Sequence, residues 1–322
     1  MSDSPAAGGA RAPLLFLALA LFLALAACGG PLPPEDPYNL AGAKDNLSRG
    51  NYWRARGCHR EALRFFEASL VQARLSDSVP LMAMSLNARA VALMDLSRPG
   101  EAAQSLEAAL DLSASDPQKS EMASILANFG ALSLMTGRRE DSLAFFREAA
   151  TLAQERGENP AQYYADLARI HLENGEEELF MANLALARQS LAGLGATEKA
   201  QADIYQLSFE EALSRGDLAS AEGFLSQALE LDRHLESLWG LAQDLESQYR
   251  LETQKGDYLA ASQSLDRAFH LRAAAGQKKE LARLFALLRE SRAQYQVPRS
   301  LAPYEDILSG RVPFDPLAEV CP

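Results

Sequence analysis

The feature that most narrows the fold is a six-fold recurrence. A residue suited to left-handed backbone closes an apolar stretch at Gly57, Gly137, Gly175, Gly216 and Gly256, and Ser97 fills the missing place between the first two. The spacings are 40, 40, 38, 41 and 40 residues. The same pattern follows each turn. A large residue stands at Phe66, Leu106, Phe146, Leu184, Leu225 and Leu265. Three residues later comes a small one: Ser69, Ala109, Ala149, Ala187, Ala228 and Ala268. Four residues before the large one stand Ala62, Ala102, Ser142, Phe180, Ala221 and Ala261, with Phe180 the single misfit. Offsets of three and four place these side chains on one helix face. The small residues let that helix approach its neighbours, and the large one fills the space between them. Glycine takes the left-handed conformation that ends the preceding helix. Each unit is therefore predicted to be a helix hairpin that buries its apolar face only by stacking on the next. No run alternates as strands do, so the fold class is all-α.

The pattern resembles tetratricopeptide repeats. In the third unit Leu126, Asn128-Phe129-Gly130, Gly137, Ser142, Phe146 and Ala149 fall at the family's signature offsets. The fifth unit (Gly216-Asp217, Ala221, Leu225, Ala228) and the sixth (Gly256-Asp257, Ala261, Leu265, Ala268) match in their second helices. The first carries Gly50, Trp53 and Gly57, and the fourth is the loosest. The period is longer than the family's usual 34 residues. The extra length sits in the connections and first helices, as in MalT-like or kinesin-light-chain-like variants. The resemblance covers about residues 43–272, most of the chain, and implies an α-solenoid of about six hairpins, the helical domain being expected over residues 43–296 with its closing helix. It also implies that the first helix of each hairpin lines a concave, protein-binding face. By the family's offsets the groove candidates are Asn87, Asn128, Gln162, Arg169, Gln206 and Glu210. Met94 and Met135 lie at groove offsets too, but read as core. The family's clamp for a peptide carboxylate is missing, because Asn87 and Asn128 lack the matching lysines.

Helix starts support the same divisions. Asp116-Pro117 and Asn159-Pro160 set a capping residue before a proline in the first turn, and Thr197 can cap the fifth unit. Residues 278–296 read as one more amphipathic helix, closing the exposed end of the array. The tail, 297–322, contains Pro298, Pro303, Pro313, Pro316 and Pro322 and is expected not to continue the helices.

The N-terminus reads as an address. In residues 1–27 one basic residue, Arg11, precedes an uncharged apolar run, Pro13–Ala27, that closes on small residues. As a helix the run would be about 22 Å long, short of a bilayer core of about 30 Å. Leu25-Ala26-Ala27-Cys28 resembles a bacterial lipobox. That resemblance implies lipidation of Cys28, cleavage before it, and membrane anchoring by several acyl chains, palmitate among them. Gly29 follows where some sorted lipoproteins carry Asp, which implies the outer membrane, facing the periplasm. Residues 28–42 are rich in Gly and Pro and read as a flexible tether.

Composition narrows the function. With 31 Lys and Arg against 43 Asp and Glu, the net charge of −12 argues against nucleic-acid binding. There is no P-loop, HExxH, CxxC or GxSxG motif. His59, His171, His234 and His270 fall in different units without ligand spacing, so no metal is expected. His171 reads as a satisfied inner-face histidine. The Glu176-Glu177-Glu178 run reads as a solvated turn. With Cys28 lipidated, Cys58 and Cys321 are the remaining thiols. They either form a disulfide, which an oxidising envelope permits, or stay unpaired with Cys58 packed between helices.

The expected function is accordingly non-enzymatic and cofactor-free. The chain reads as a lipid-anchored scaffold that binds envelope proteins through extended or helical segments in its groove. The alternatives are a pilotin-like assembly factor for an outer-membrane machine, or an accessory subunit regulating a cell-wall enzyme. The tail is either an occupant of the groove, disordered, or a segment that a partner binds.

Overall fold

A computed structural model describes residues 38–115, 121–193, 195–275, 278–295 and 300–311. The described residues hold fourteen helices and no strand. Six hairpins pair α1 (Tyr38–Ala55) with α2 (His59–Leu75), α3 (Val79–Asp95) with α4 (Pro99–Ser115), α5 (Met122–Met135) with α6 (Arg139–Glu155), α7 (Ala161–Glu173) with α8 (Glu177–Leu191), α9 (Glu198–Ser214) with α10 (Leu218–His234), and α11 (Leu238–Lys255) with α12 (Tyr258–Ala274). Helices α13 (Lys278–Tyr295) and α14 (Ala302–Leu308) follow. None of the described helices is long and apolar enough to cross a membrane.

The recurring turn residues all sit in the left-handed region. Gly57, Gly137, Gly175, Gly216 and Gly256 have φ between 72° and 79°, and Ser97 has φ 58°. The amide before each second helix reaches back five residues, as Cys58 N to Trp53 O (2.9 Å) and Arg98 N to Leu93 O (2.8 Å) show. This 6→1 bond closes a Schellman motif and satisfies a carbonyl that the helix end would leave unpaired. Ser97 makes the same bonds with a Cβ that crowds its own carbonyl. Ser97→Gly is therefore expected to stabilise the chain by about 0.5–1 kcal/mol. Urea unfolding checks this, and an unchanged or lower midpoint would contradict it.

The packing triads are buried as their spacing requires. Phe66, Leu106 and Leu265 are 0% exposed, and so is every small residue three positions later. Phe180, the misfit, is 3% exposed and packs with Leu184, Ala161 and Ala165. Close approach is real where glycine stands in a first helix. A Cβ on Gly130 would lie 2.9 Å from the Phe146 ring. The small buried residues are often serines, and they tie helices together. Ser69 Oγ donates to Ala43 O (2.8 Å) and lies 2.8 Å from Ser85 Oγ, linking α1, α2 and α3.

Two boundaries differ from expectation. Helix α1 starts at Tyr38, inside the stretch read as tether, because Leu40 packs into the first core cluster. The tail is not free of helix: α14 forms with Pro303 in its first turn, where a missing N–H costs nothing. Its Tyr304, 7% exposed, joins the core of α11–α13. The array therefore closes on two helices rather than one. Asp116-Pro117, the signal segment, Cys28 and Cys321 lie outside the described residues. Thr197 Oγ1 accepts from Ala200 N (3.1 Å), as the capping pattern anticipates, whereas at α7 Pro160 rather than Asn159 is the N-cap, and Asn159 Oδ1 accepts from Ala161 N (2.9 Å) from one residue before it.

Candidate protein-binding groove

Three pairs of consecutive first helices touch: α1 meets α3, α3 meets α5, and, most closely, α7 meets α9. Consecutive second helices do not approach to that degree. The array thus curves with the first helices inside. Hydrogen bonds between residues about forty apart stitch this inner face. Asn128 Nδ2 donates to Asn87 Oδ1 (2.7 Å), and Asn87 Nδ2 donates to Ser124 Oγ (3.1 Å), joining α3 to α5. Gln162 Nε2 donates to Asp203 Oδ2 (2.9 Å) and Arg169 to Asp203 Oδ1 (3.1 Å), joining α7 to α9. Gln206 Nε2 donates to Ser247 Oγ (2.7 Å) and Arg250 to Glu210 Oε1 (2.5 Å), joining α9 to α11. Arg283 pairs with Glu246, joining α11 to α13.

All six candidate residues thus lie on the inner face, in two different roles. Asn87 and Gln206 are 8% and 5% exposed and hold helices together. Asn128, Gln162, Arg169 and Glu210 are half-buried, with part of each side chain toward solvent. Met135 does not belong to the core: it is 45% exposed, because it stands in the last turn of α5, past the neighbour that would cover it. Met94 is partly buried against the first core cluster.

The face divides by polarity. Along α3, Met84, Asn87, Val91 and Met94 recur at helical spacing. Ser124, Asn128, Ala131 and Met135 do so along α5. The α3 row contains no charge, and the α5 row has one at its start, Glu121, which accepts from Ser124 Oγ (3.1 Å). The stretch from α7 to α11 is ionic. Burial works against the charge on Asp203, but Lys199 and Arg169 outweigh it and hold that carboxyl below its ordinary range. Burial and the charge of Asp203 push Asp166 up to about 6. Beyond them, burial and the adjacent Asp232 push Asp244 up to about 8.

Asp203, Ser247 and Arg250 were not singled out from sequence. Each stands 40 or 41 residues beyond a candidate, so the repeat register applied once more would have found them. The histidines do not converge. His171, 2% exposed, meets Glu176 at 2.5 Å, His59 meets Asp95, and His234 meets Glu198. Among the described residues no three His, Cys, Asp or Glu side chains gather as a metal site. Cys58, 4% exposed, is disulfide-bonded, and its partner lies outside the described residues.

No protein-family model matches the chain, and no curated protein does. Among solved structures, the APC/C hetero-tetramer Cut9–Hcn1 aligns with 92% of this chain at a TM-score of 0.57 and 15% identity. The chain has the tetratricopeptide-type solenoid fold. It spans just over half of that neighbour, 57% of its length. PilW, a widely conserved type IV pilus biogenesis factor, aligns with 70% of this chain and 91% of its own, at 20% identity and a TM-score of 0.45. Pseudomonas aeruginosa PilF aligns with 80% and 99%, at 16% identity and a TM-score of 0.44. Identities of this order speak for the fold alone. A tetratricopeptide-type solenoid presents its first helices as a continuous concave surface, and here that surface changes along its length from nearly uncharged to ionic.

Proposed function

We propose that this chain is a non-enzymatic scaffold that holds an extended segment of another protein against the inner face of its solenoid, anchored to the bacterial envelope through Cys28. One observation carries the binding reading. The relay Asn128–Asn87–Ser124 runs across two first helices and is flanked by exposed Met84 and Met135. An extended peptide needs polar groups for its backbone and apolar contacts for its side chains. This stretch offers the half-buried Asn128 for the first and Met84 and Met135 for the second, with a single carboxylate, Glu121, at its edge accepting from Ser124 Oγ. Methionine adapts its shape to the side chain that it meets. The anchoring reading rests on the lipobox-like sequence ending at Cys28.

The test is photo-crosslinking from the groove, in envelopes of cells producing the full-length chain. A tethered probe sits at the exposed Met135 position, and Cys28→Ala serves as the control that leaves the membrane fraction. Met84→Glu together with Asn128→Ala is expected to weaken capture of one dominant protein by about 30-fold, the loss of a hot spot worth about 2 kcal/mol. Equal capture by variant and wild type, with melting unchanged, would remove the groove as the binding face.

A further inference from the structure

On the outer side of the last two hairpins lies a second, different site. A cavity of about 350 Å3 opens between α10, α11 and α12, lined by Leu229, Leu241, Leu245 and Leu271 and rimmed by Arg233, Arg267 and His270. Most arginines of this acidic chain are paired with carboxylates. Arg233 and Arg267, both exposed, make no ion pair among the described residues. An aliphatic floor under two available guanidinium groups suits a segment in which apolar side chains alternate with carboxylates.

The chain carries such a segment. Residues 312–322, VPFDPLAEVCP, contain Phe314, Leu317 and Val320, two acids (Asp315 and Glu319), and no base. Pro313 and Pro316 favour polyproline II, with three residues per turn. On that helix Phe314, Leu317 and Val320 share one edge, and the carboxylates occupy the other two. The segment also begins in the right place. It leaves α14, whose Tyr304 packs edge-on to Phe269 (5.0 Å) and lies 5.7 Å from His270, a residue of the cavity rim. We propose that residues 312–320 of this chain lie in the cleft between α10 and α12, with Phe314 and Leu317 on the leucine floor, Asp315 at Arg267 and Glu319 at Arg233.

A further contact gives the direction. Glu236, three residues past Arg233, pairs with Arg56 in the turn of the first hairpin. The first hairpin therefore meets the turn between the fifth and the sixth, and Cys58 is two residues from Arg56. A tail running from Arg267 toward Arg233 delivers Cys321 to that junction. The ten residues from Arg311 span at most about 33 Å, and the tether's millimolar effective concentration fills even a weak site. The disulfide-bonded Cys58 then has Cys321 as its partner.

Two readings on the full-length, unreduced chain test this. Amides of residues 314–320 are expected to exchange at least about tenfold more slowly than in the isolated peptide. Peptide mapping is expected to find Cys58 joined to Cys321. Arg267→Glu, at an exposed and unpaired position, should abolish the protection while leaving the disulfide intact. Asp315→Lys in that background, with Glu319 left to face the intact Arg233, should restore it. Free-peptide exchange in the wild type, protection that survives Arg267→Glu, protection that falls on dilution as a second copy's tail would, or Cys58 joined to Cys28 each overturns the proposal.

Discussion

Replacing Arg292 by methionine is expected to cost about 3–5 kcal/mol at the C-terminal end of the array. Its guanidinium, 4% exposed, donates to Asp266 Oδ1 (2.6 Å), to Ser300 O (2.8 Å) and to Tyr304 Oη (3.2 Å). One side chain therefore holds α13 to α12, to the segment before α14, and to α14 itself. Methionine keeps most of the volume and removes every donor, so the carboxylate of Asp266 stays inside without that counter-ion. Breaking a buried pair costs more than the pair contributes, because the remaining charge keeps its desolvation penalty. Asp266→Asn in the same chain should recover much of the loss. The measurement is native-state hydrogen exchange of α12 to α14, with urea unfolding of the whole chain beside it. A loss below about 1 kcal/mol, or no recovery in the double variant, would show that the cap is held by its apolar contacts instead.

Asp244→Asn is expected to stabilise the chain at alkaline pH, by an amount that grows with pH. Asp244 is 1% exposed and lies within hydrogen-bonding reach of Asp232. Gly240 makes the room, since a Cβ there would run into the Asp232 carboxylate. Burial first, then Asp232 and Asp203, raise Asp244 to about 8, and Arg233 only partly offsets them. The sign follows from proton counting. A carboxyl whose folded value is raised holds its proton when the unfolded chain has already released it. Stability therefore falls as pH rises from the unfolded value near 4 toward about 8, by about 1.4 kcal/mol per pH unit for one fully held proton. Asparagine keeps the shape and the donor but never ionises. The variant should match the wild type near pH 4 and exceed it increasingly toward pH 9, by more than about 1 kcal/mol. Parallel curves across that range would mean that water or rearrangement relieves the pair. Thermal melts of both proteins from pH 4 to 9 decide.

Much of this architecture is legible in the sequence because each turn needs the same backbone. Ser97 fits the register and takes up the strained conformation of the glycines around it. Phe180 breaks the pattern and is buried nonetheless, since the fourth hairpin repacks around a larger side chain. What the sequence concealed depends on neighbours. Asn87 and Gln206 stand at groove offsets but are spent on holding adjacent helices, a role set by residues forty positions away. The exposure of Met135 depends on where the next hairpin stops covering it. Helix α14 was hidden by Pro303, which reads as a breaker until the segment around Tyr304 finds a core to join. The cavity under Arg233 and Arg267 belongs to three helices and leaves no mark in any one of them.

The pairing of Arg56 with Glu236 makes the solenoid something other than an open spring. In a simple stack the opening of the concave face follows from the small angle between each hairpin and the next, and either end can spread alone. Here the two flanks of the opening are clasped, so widening it anywhere strains the clasp. The clasp is itself weak, an ion pair with Glu236 exposed and Arg56 half-buried, worth about 1 kcal/mol and partly screened by salt. The aperture is accordingly a soft coordinate: narrow at low ionic strength, and readily pried apart by a bulky occupant that offers a little more than the clasp withholds.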